Sequence, residues 1–370
     1  MTCNIVFLCT EYNTYPDVCI KAIEGLPQAR SFNFYVFCWG ESNSRRIKPI
    51  LYKNSTSSIF SCTEDFTSVS LLKRVIQINP SMLVCSGWQE RKYLLVCFVM
   101  KSFFGIPVVT AFDDQYSPIL PNPVKPILRF IVSRLFFTDA WISGYSQYAF
   151  AASCGFRDRS ITLGCLSGSQ NNFFFQTPDL DARILTRKPY FLYIGNIRIV
   201  KGVDILVEAY ANYRSLSKDP WDLLIIGNSV DLCIDPLTPG VNLLGYINND
   251  FLSQYIKLAQ VCILPSRLDQ WGMALHEYAQ LGKPIIASQG CGARHQFVVH
   301  GYNGFIFYDE SPVSLATLMV RLASFSPDLL ALMGERSLAL SSSMSPEISA
   351  FSLLSILDKS QLTETPGSCA

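Results

Sequence analysis

Two carboxylates eight residues apart, Asp269 and Glu277, mark the segment of the sequence with the strongest chemical pattern. Gly272 stands between them, where a loop turns into a predicted helix, and a glycine there lets the backbone approach a ligand closely. The free N–H groups of the first helical turn suit a phosphate, which predicts a phosphate contact at Gly272, Met273 and Ala274. Glu277 lies one turn further in, within reach of a ribose attached to that phosphate.

The elements around this segment predict one βαβ unit. An apolar strand at 261–264 precedes the loop, a helix runs from about Met273 to Leu281, and Gly282 ends it before a second apolar strand at 285–287. Asp269, in the loop, is predicted to meet whatever is attached to the far phosphate. A core βαβ unit with a solvated glutamate would have the same spacing, so the pattern alone leaves both interpretations open.

Lys201 is the candidate cation. It closes a loop after the predicted strand 190–194 and precedes a predicted helix at 203–213. The dipole of a helix disfavours a cation at its amino end unless an anion lies between them. The position therefore indicates a bound anion, and the alternative is a solvated lysine.

Asp113 and Asp114 follow the predicted strand 107–111. Ligands of open α/β sheets bind at the carboxyl ends of the strands, so this pair is a candidate for chemistry. A helix cap or a solvated turn would also place two carboxylates here.

Strands and helices alternate along the whole chain, which predicts an α/β fold with doubly wound parallel sheets. A length of 370 residues allows two domains, and the polar segment 178–188 is the predicted boundary. We expect an N-terminal domain at 1–177, to which residues 345–360 cross back, and a C-terminal domain at 178–344. Residues 361–370 are predicted to be a disordered tail.

Composition restricts the class of function. The net charge of +1 gives no basic field for a nucleic acid, so no nucleic-acid partner is expected. The 13 cysteines and three histidines show no metal-ligand spacing, and no metal site is predicted. The N-terminus reads as a first strand rather than a signal peptide, and no segment is long and apolar enough to be predicted as a membrane span.

Residues 269–277 resemble the signature of retaining GT-B glycosyltransferases of family GT4: an acidic residue, Trp/Phe-Gly, and a Glu eight positions after the first. That family normally has Glu where this chain has Asp269. Residues 195–202 are similar to the family's Gly-Arg…Lys-Gly loop, whose Arg and Lys hold the diphosphate of the donor. Lys201 matches the Lys, Asn196 stands at the Arg position, and Arg198 is the candidate substitute.

The resemblance implies a GT-B fold, in which two Rossmann-like domains face a cleft. It also implies roles for the motif residues. Glu277 would accept hydrogen bonds from the ribose, Lys201 would hold the diphosphate, and Asp269 would hold the donor sugar. Asp113 would orient the reacting groups from the other domain, next to Phe112, which stands where the family often has His. The full set of expected donor-binding residues is Asn196, Arg198, Lys201, Gly227, Tyr246, Ile247, Trp271, Gly272, Met273, Ala274 and Glu277.

The resemblance further implies a metal-independent transferase that needs no cofactor. Its donor would be a UDP- or GDP-sugar, and its acceptor a saccharide or lipid-linked saccharide in surface polysaccharide or glycolipid synthesis. Six basic residues in or beside two apolar predicted helices of the first domain could touch an anionic membrane, and we expect a place in the cytoplasm, at the inner face of the membrane. They are Arg91, Lys92, Lys101, Lys125, Arg129 and Arg134. The alternative is ordinary half-buried helices whose basic side chains extend to water. Two other interpretations are a non-catalytic GT-B partner of another transferase and a GT-B sugar-nucleotide epimerase or hydrolase.

Overall fold

Two compact units make up the chain, residues 1–167 with 346–370 and residues 168–345. A computed structural model describes residues 3–10, 14–26, 32–39, 58–62, 65–116, 124–165, 188–235 and 238–363. The predicted boundary between residues 177 and 178 lies outside the described residues.

The first unit is a parallel sheet with helices between its strands. Its strands are β1 Cys3–Cys9, β2 Phe32–Cys38, β3 Ser58–Cys62, β4 Met82–Cys85, β5 Val108–Phe112, β6 Asp139–Ile142 and β7 Ile161–Leu163. Its helices are α1 Thr14–Glu24, α2 Ser68–Ile78, α3 Arg91–Phe104, α4 Val124–Phe136 and α5 Tyr145–Ser153.

The second unit repeats this plan. Its strands are β8 Tyr190–Ile194, β9 Asp222–Ile226, β10 Val241–Gly245, β11 Val261–Leu264, β12 Ile285–Ser288 and β13 Gly304–Phe307. Its helices are α6 Val203–Leu216, α7 Asn249–Leu258, α8 Met273–Gln280, α9 Arg294–Phe297, α10 Pro312–Ala323 and α11 Pro327–Ser341. The last helix of the chain, α12 Pro346–Thr363, belongs to the first unit.

Both sheets are doubly wound. The strand orders are β3-β2-β1-β4-β5-β6-β7 and β10-β9-β8-β11-β12-β13, and the paired strands run parallel. The order reverses between β1 and β4 in the first sheet and between β8 and β11 in the second. Ligands of such sheets bind at the carboxyl ends of the strands beside that reversal.

The strands are apolar on both faces because helices cover both sides of a parallel sheet. In β1, Val6 and Leu8 pack into one core and Ile5 and Phe7 into the other. This division follows from the alternation of side chains along a strand.

Helix α12 packs against α1 and β7 of the first unit. Leu353 and Ile356 join the core beside α1, and the Trp141 indole donates a hydrogen bond of 2.8 Å to the Ser352 hydroxyl. The helix continues through Thr363, three residues into the segment predicted as a disordered tail, and residues 364–370 lie outside the described part of the chain.

Two strands of the first sheet were not predicted. Strand β3, Ser58–Cys62, is a short strand of mixed polarity at one edge, and β7, Ile161–Leu163, has three residues. Neither strand carries an apolar run long enough to be recognised from the sequence. Each forms by pairing with the neighbouring strand, and the sequence of a short edge strand does not show this context.

Candidate functional site

Three loops of the second unit meet at the carboxyl edge of its sheet, beside the reversal of strand order. They follow β8, β11 and β12, and backbone hydrogen bonds join them. The Arg267 amide donates to the Val200 carbonyl at 3.0 Å, and the Asp269 amide donates to the Gly290 carbonyl at 3.0 Å. The Gly292 amide returns a bond of 3.0 Å to the Asp269 carbonyl. These bonds hold the residues between them in a fixed arrangement.

Glycines permit this close approach. Gly202 has φ +66°, and a Cβ there would lie 2.1 Å from the Pro265 carbonyl oxygen. Gly227, one of the expected donor-binding residues, has φ +147°, and a Cβ there would lie 1.9 Å from the Gly195 carbonyl oxygen. Any other residue at either position would push the loops apart.

The structure brings Lys201 and Asp269 together. The Lys201 ammonium lies 2.8 Å from a carboxylate oxygen of Asp269, and both side chains are partly buried. The cation predicted to hold the diphosphate and the carboxylate predicted to hold the donor sugar thus form an ion pair. A bound donor would have to exchange this ion pair for contacts of its own.

Arg198 does not reach toward Lys201. Its guanidinium forms an ion pair of 3.0 Å with Asp231, and the same carboxylate accepts a bond of 2.9 Å from the Ile199 amide. The amide bond and Arg198 together hold the pKa of Asp231 below its usual range. In this structure Arg198 therefore fixes the loop, which differs from the predicted diphosphate contact.

Asn196 is half-buried, two residues after the end of β8. Its backbone carbonyl accepts a hydrogen bond of 2.9 Å from the Tyr193 hydroxyl. Burial raises the pKa of Tyr193, and the nearby Asp269 carboxylate adds to that shift. Asn196, Tyr193 and Asp269 are therefore close neighbours.

Helix α8 follows Gly272, which has φ +90° and, as a glycine, brings no side chain of its own to cap the helix. Met273 and Ala274, in the first turn, are half-buried. The first-turn N–H groups are thus available to an anion, with the positive end of the helix dipole behind them. One turn further in, burial raises the pKa of the half-buried Glu277 to about 7. A ligand that donates hydrogen bonds to this carboxyl would favour its ionised form.

Trp271 contributes to the core rather than to an open surface. Its side chain is 1% exposed and packs edge-on against Phe297, with ring centroids 6.0 Å apart. Phe297 also stacks on His276, whose buried imidazole has its pKa lowered to about 4 by desolvation. The buried ring of Trp271 therefore anchors the loop and the start of α8, and its expected donor contact stays a prediction.

The loops after β9 and β10 carry three of the expected donor-binding residues, Gly227, Tyr246 and Ile247, and the side chains of the last two differ in exposure. The backbone amide of Gly227 donates a bond of 2.9 Å to the carbonyl of Gly245, so the loops after β9 and β10 lie side by side. Tyr246 is 62% exposed, whereas the Ile247 side chain is buried. A ligand could therefore contact the aromatic ring of Tyr246, but only the backbone of Ile247.

Asp113 lies directly after β5 in the first unit and is half-buried. The Gln147 amide donates a bond of 3.2 Å to its backbone carbonyl. Phe112, at the position where the resembled family often has His, is buried against Phe150 and Trp88, with centroids 5.5 and 6.4 Å apart. The backbone of Asp113 is thus fixed beside an aromatic cluster.

The neighbouring carboxyl has a different environment. Burial raises the pKa of Asp114, and the positive charge of Arg129 opposes that shift. Arg129 also lies over the Phe150 ring, 5.0 Å from its centroid. Arg129, one of the six bases that could touch a membrane, is thus half-buried against Phe150 and near Asp114, and its membrane contact stays a prediction.

Arg267 is a residue that the sequence reasoning missed. Its guanidinium forms two bonds of 2.7 Å with Asp204 on α6, and its Nε lies 3.0 Å from Glu310. The same side chain donates to the Ile199 carbonyl. Arg267 therefore clamps the loops after β8 and β11, and its position next to the predicted motif was the available signal.

Metal ligands and membrane spans were also sought in the described residues. No group of three or more His, Cys, Asp or Glu side chains there could hold a metal ion. No single helix in the same ranges is both long and apolar enough to cross a membrane, although the bent pair of Pro312–Ala323 and Pro327–Lys359 meets the criteria by length and composition.

The family model for glycosyl transferases group 1 matches residues 180–335, which form most of the second unit and contain Lys201, Asp269 and Glu277. An uncharacterized glycosyltransferase of Methanocaldococcus jannaschii is 28% identical over 140 residues, 36% of this chain and 35% of that protein. The alpha-D-kanosaminyltransferase of Streptomyces kanamyceticus is 25% identical over 267 residues, 64% of this chain and 66% of that protein. The chain thus spans about a third of the first relative and just under two thirds of the second.

The solved structure of HepE of Anabaena in complex with UDP is similar to this chain over nearly its full length. It superposes with a TM-score of 0.74 over 97% of this chain and 100% of that one, at 16% identity. This similarity confirms the predicted GT-B class of fold, built of two Rossmann-like units.

Proposed function

We propose that this chain is a retaining glycosyltransferase that moves a sugar from a UDP- or GDP-sugar to a saccharide or lipid-linked saccharide. The observation that carries the proposal is the meeting of Lys201, Asp269 and the uncapped start of α8 at one edge of the second sheet. Together they provide a cation, a carboxylate and free N–H donors, which are the groups that a diphosphate and a sugar need.

Donor binding would proceed through an exchange of partners. Lys201 leaves Asp269 for the diphosphate, and Asp269 accepts hydrogen bonds from the hydroxyls of the donor sugar. The N–H groups of Gly272, Met273 and Ala274 hold a phosphate, and Glu277 accepts hydrogen bonds from the ribose. Each released charge gains a partner on the donor, so the cost of breaking a partly buried ion pair is offset.

Departure of the diphosphate gathers negative charge on its oxygens. Once the donor is bound, Lys201 and the start of α8 already contact those oxygens and stabilise the charge, and for this reason we expect no metal cofactor. Asp113 orients the reacting groups from the first unit. Because Asn196 stands where the resembled pattern has an Arg, the cationic role falls on Lys201 and the helix start.

The proposed site of action is the cytoplasm, at the inner face of the membrane, where a lipid-linked acceptor would be met. Apolar side chains of α3 and α4 support this placement. Phe103 is 75% exposed, and Ile127 is 62% exposed. Such side chains enter the boundary between headgroups and acyl chains.

The test is turnover with UDP- and GDP-sugars in the presence of saccharide and lipid-linked acceptors. Released nucleotide would be measured, and the anomeric configuration of the product would be read by NMR. The proposal expects one donor to be consumed only with an acceptor present and the anomeric configuration to be kept. An inverted product would contradict the retaining mechanism, and absence of any transfer would contradict the activity.

A second candidate is a nucleotide-binding partner of another transferase. The ion pair of Arg198 with Asp231 favours it, because that pair removes a cation from the diphosphate site. Nucleotide binding without turnover would support this candidate. A product formed from the donor alone would instead indicate an epimerase or hydrolase.

A further inference from the structure

A cavity of about 440 Å³ lies at the amino edge of the first sheet, the edge opposite Asp113. Two of its lining residues, Thr138 and Ser160, directly precede β6 and β7. The C-terminal parts of α3 and α4 and the segment between α5 and β7 complete its wall. This position separates the cavity from the carboxyl edge, where the acceptor side of the proposed reaction lies.

Four cationic side chains line the cavity: Lys101, Arg134, Arg157 and Arg159. Lys101 donates to the Arg134 and Phe137 carbonyls at the end of α4, which fixes its ammonium group at the wall. Within the described ranges, no carboxylate lies within ion-pair distance of any of the four cations. The nearby Asp158 accepts a hydrogen bond of 2.5 Å from Tyr148. The cavity therefore carries a concentrated positive charge.

A buried polar group also lines the cavity. Ser133 is 1% exposed, and its hydroxyl has no hydrogen-bond partner of normal length among the described residues. The thiol of Cys154 lies beside it and is a weak partner. Thr138 and Ser160 already have partners, since their hydroxyls bond to Val108 and Arg157. The Ser133 hydroxyl thus donates at most to a weak sulfur acceptor, which a phosphate oxygen placed in the cavity would replace as a stronger one, because buried polar groups are normally paired.

Exposed apolar side chains surround the cationic wall. On α4, Ile131 and Leu135 are 53% and 45% exposed and lie three residues before and one residue after Arg134. On α3, Phe103 and Phe104 follow Lys101 by two and three residues, and both are exposed. The two helices are joined by the edge-on contact of Phe98 with Phe136. The cationic wall of the cavity and the exposed apolar side chains of α3 and α4 therefore form one continuous surface.

From these observations we infer that the cavity binds the phosphate of an anionic phospholipid headgroup while the side chains around it enter the membrane. Arginines pair with phosphate oxygens through charge-assisted hydrogen bonds. A soluble phosphate would contact the cavity but not the exposed apolar side chains around it, whereas an anionic lipid would contact both. The inference deepens the membrane contact proposed above and rests on it, but not on the transfer reaction.

The test uses the full chain and vesicles at 150 mM salt. One set contains phosphatidylcholine alone, and the other contains phosphatidylcholine with phosphatidylglycerol. Cosedimentation should show clear preference for the second set. Arg157→Gln with Arg159→Gln should weaken that binding about 30-fold, because each cation near an anionic leaflet contributes on the order of 1 kcal/mol. Phe103→Ser should weaken it as well.

A matched control removes two cations elsewhere in the first unit, Lys73→Gln with Arg74→Gln, both exposed on α2. It should retain most of the vesicle binding. Both double variants should keep the stabilisation by nucleotide, which separates a failure of this inference from a failure of the proposed function.

Three results would overturn the inference. The first is equal loss of vesicle binding in both double variants, which would mean a general charge effect. The second is binding of inorganic phosphate that depends on Arg157 and Arg159 without a preference for anionic vesicles. The third is a dimer in solution that Phe103→Ser dissociates, since the apolar surface would then belong to a second copy of the chain.

Discussion

The carboxyl edges of the two sheets carry different kinds of structure. In the second unit, loops after three strands are bonded to one another and hold Lys201, Asp269 and the start of α8 in place. In the first unit, the end of β5 carries Asp113 beside an aromatic cluster of Phe112, Phe150 and Trp88. The carboxyl edge of the second sheet thus holds charged and hydrogen-bonding groups in place, and that of the first sheet holds Asp113 beside packed aromatic rings.

This difference agrees with the proposal that the second unit binds the donor and the first unit binds the acceptor. A nucleoside diphosphate has fixed charges, which need preorganised donors and cations. An acceptor is held by shape and by a few hydrogen bonds.

Lys201→Ala should reduce the rate of transfer by ~10²–10³, as expected for one preorganised group that stabilises developing charge. Arg198→Ala is the matched control. Its side chain is held by Asp231, so its loss should change the rate far less. Steady-state rates with a fixed acceptor would measure both. Equal losses would show that the two cations share the diphosphate, and a Lys201→Ala enzyme within about twofold of wild type would exclude the role of Lys201.

Asp113→Asn should lower kcat by about 10²-fold, because a misplaced reacting group costs that much. Its effect on nucleotide affinity should be small, since the nucleotide belongs to the second unit. Asp114→Asn, next in the chain, serves as the control and should have little effect on kcat. If Asp113→Asn instead weakened nucleotide binding and left kcat intact, the division between the two edges would be wrong.

Gly202→Ala should destabilise the chain by about 3 kcal/mol, because a left-handed alanine and a displaced loop both cost free energy. Gly245→Ala is the matched control, with φ +67° but no atom within 4 Å of the added Cβ. It should cost only about 1 kcal/mol. Thermal midpoints of the two variants would be compared. Equal shifts would mean that the contact of Gly202 with Pro265 is not tight in solution.

Nucleotide binding should strengthen about tenfold between pH 6 and pH 8, because Glu277 ionises over that range and only its ionised form accepts two ribose bonds. Titration calorimetry at both pH values would measure it. Glu277→Gln removes this titration, so the difference between the two proteins corrects for the phosphates of the ligand itself. An unchanged pH dependence in Glu277→Gln would show that the carboxyl does not touch the ligand.

The same pKa has a consequence for stability without ligand. The pKa of Glu277 is raised to about 7 in the folded chain, so the folded state holds its proton more tightly than the unfolded state. Its contribution to stability is present below the ordinary carboxyl pKa and is lost as pH rises through about 7. Relative to Glu277→Gln, wild type should therefore lose stability between pH 5 and pH 8.

In the second unit, the local sequence pattern predicted the strands, helices and loops better than it predicted which side chains pair with one another. The spacing of Gly272 and Glu277 follows from one helix start, and Lys201 follows from another, so both could be placed from sequence. The partners of Arg198 and Arg267 could not, because Asp231 and Asp204 lie 33 and 63 residues away along the chain. Such pairs depend on the folded arrangement of loops.

Burial was equally hard to predict. Trp271 sits inside the motif, yet its ring lies in the core against Phe297. Arg129 has the spacing of a surface cation, yet it lies over Phe150. Trp271 was expected to contact the donor, and Arg129 could touch a membrane. Each side chain packs on a ring from another element, and the sequence pattern does not show such contacts.

The most direct test of the account is thermal unfolding of wild type and Glu277→Ala with UDP, GDP and ADP. A nucleotide at about a hundred times its dissociation constant should add ~2.7 kcal/mol of stability to the form that binds it. The account predicts that UDP or GDP shifts the wild type and fails to shift Glu277→Ala. If none of the three nucleotides shifts the wild type, or if the variant responds equally, the carboxyl edge of the second unit is not the nucleotide site described above.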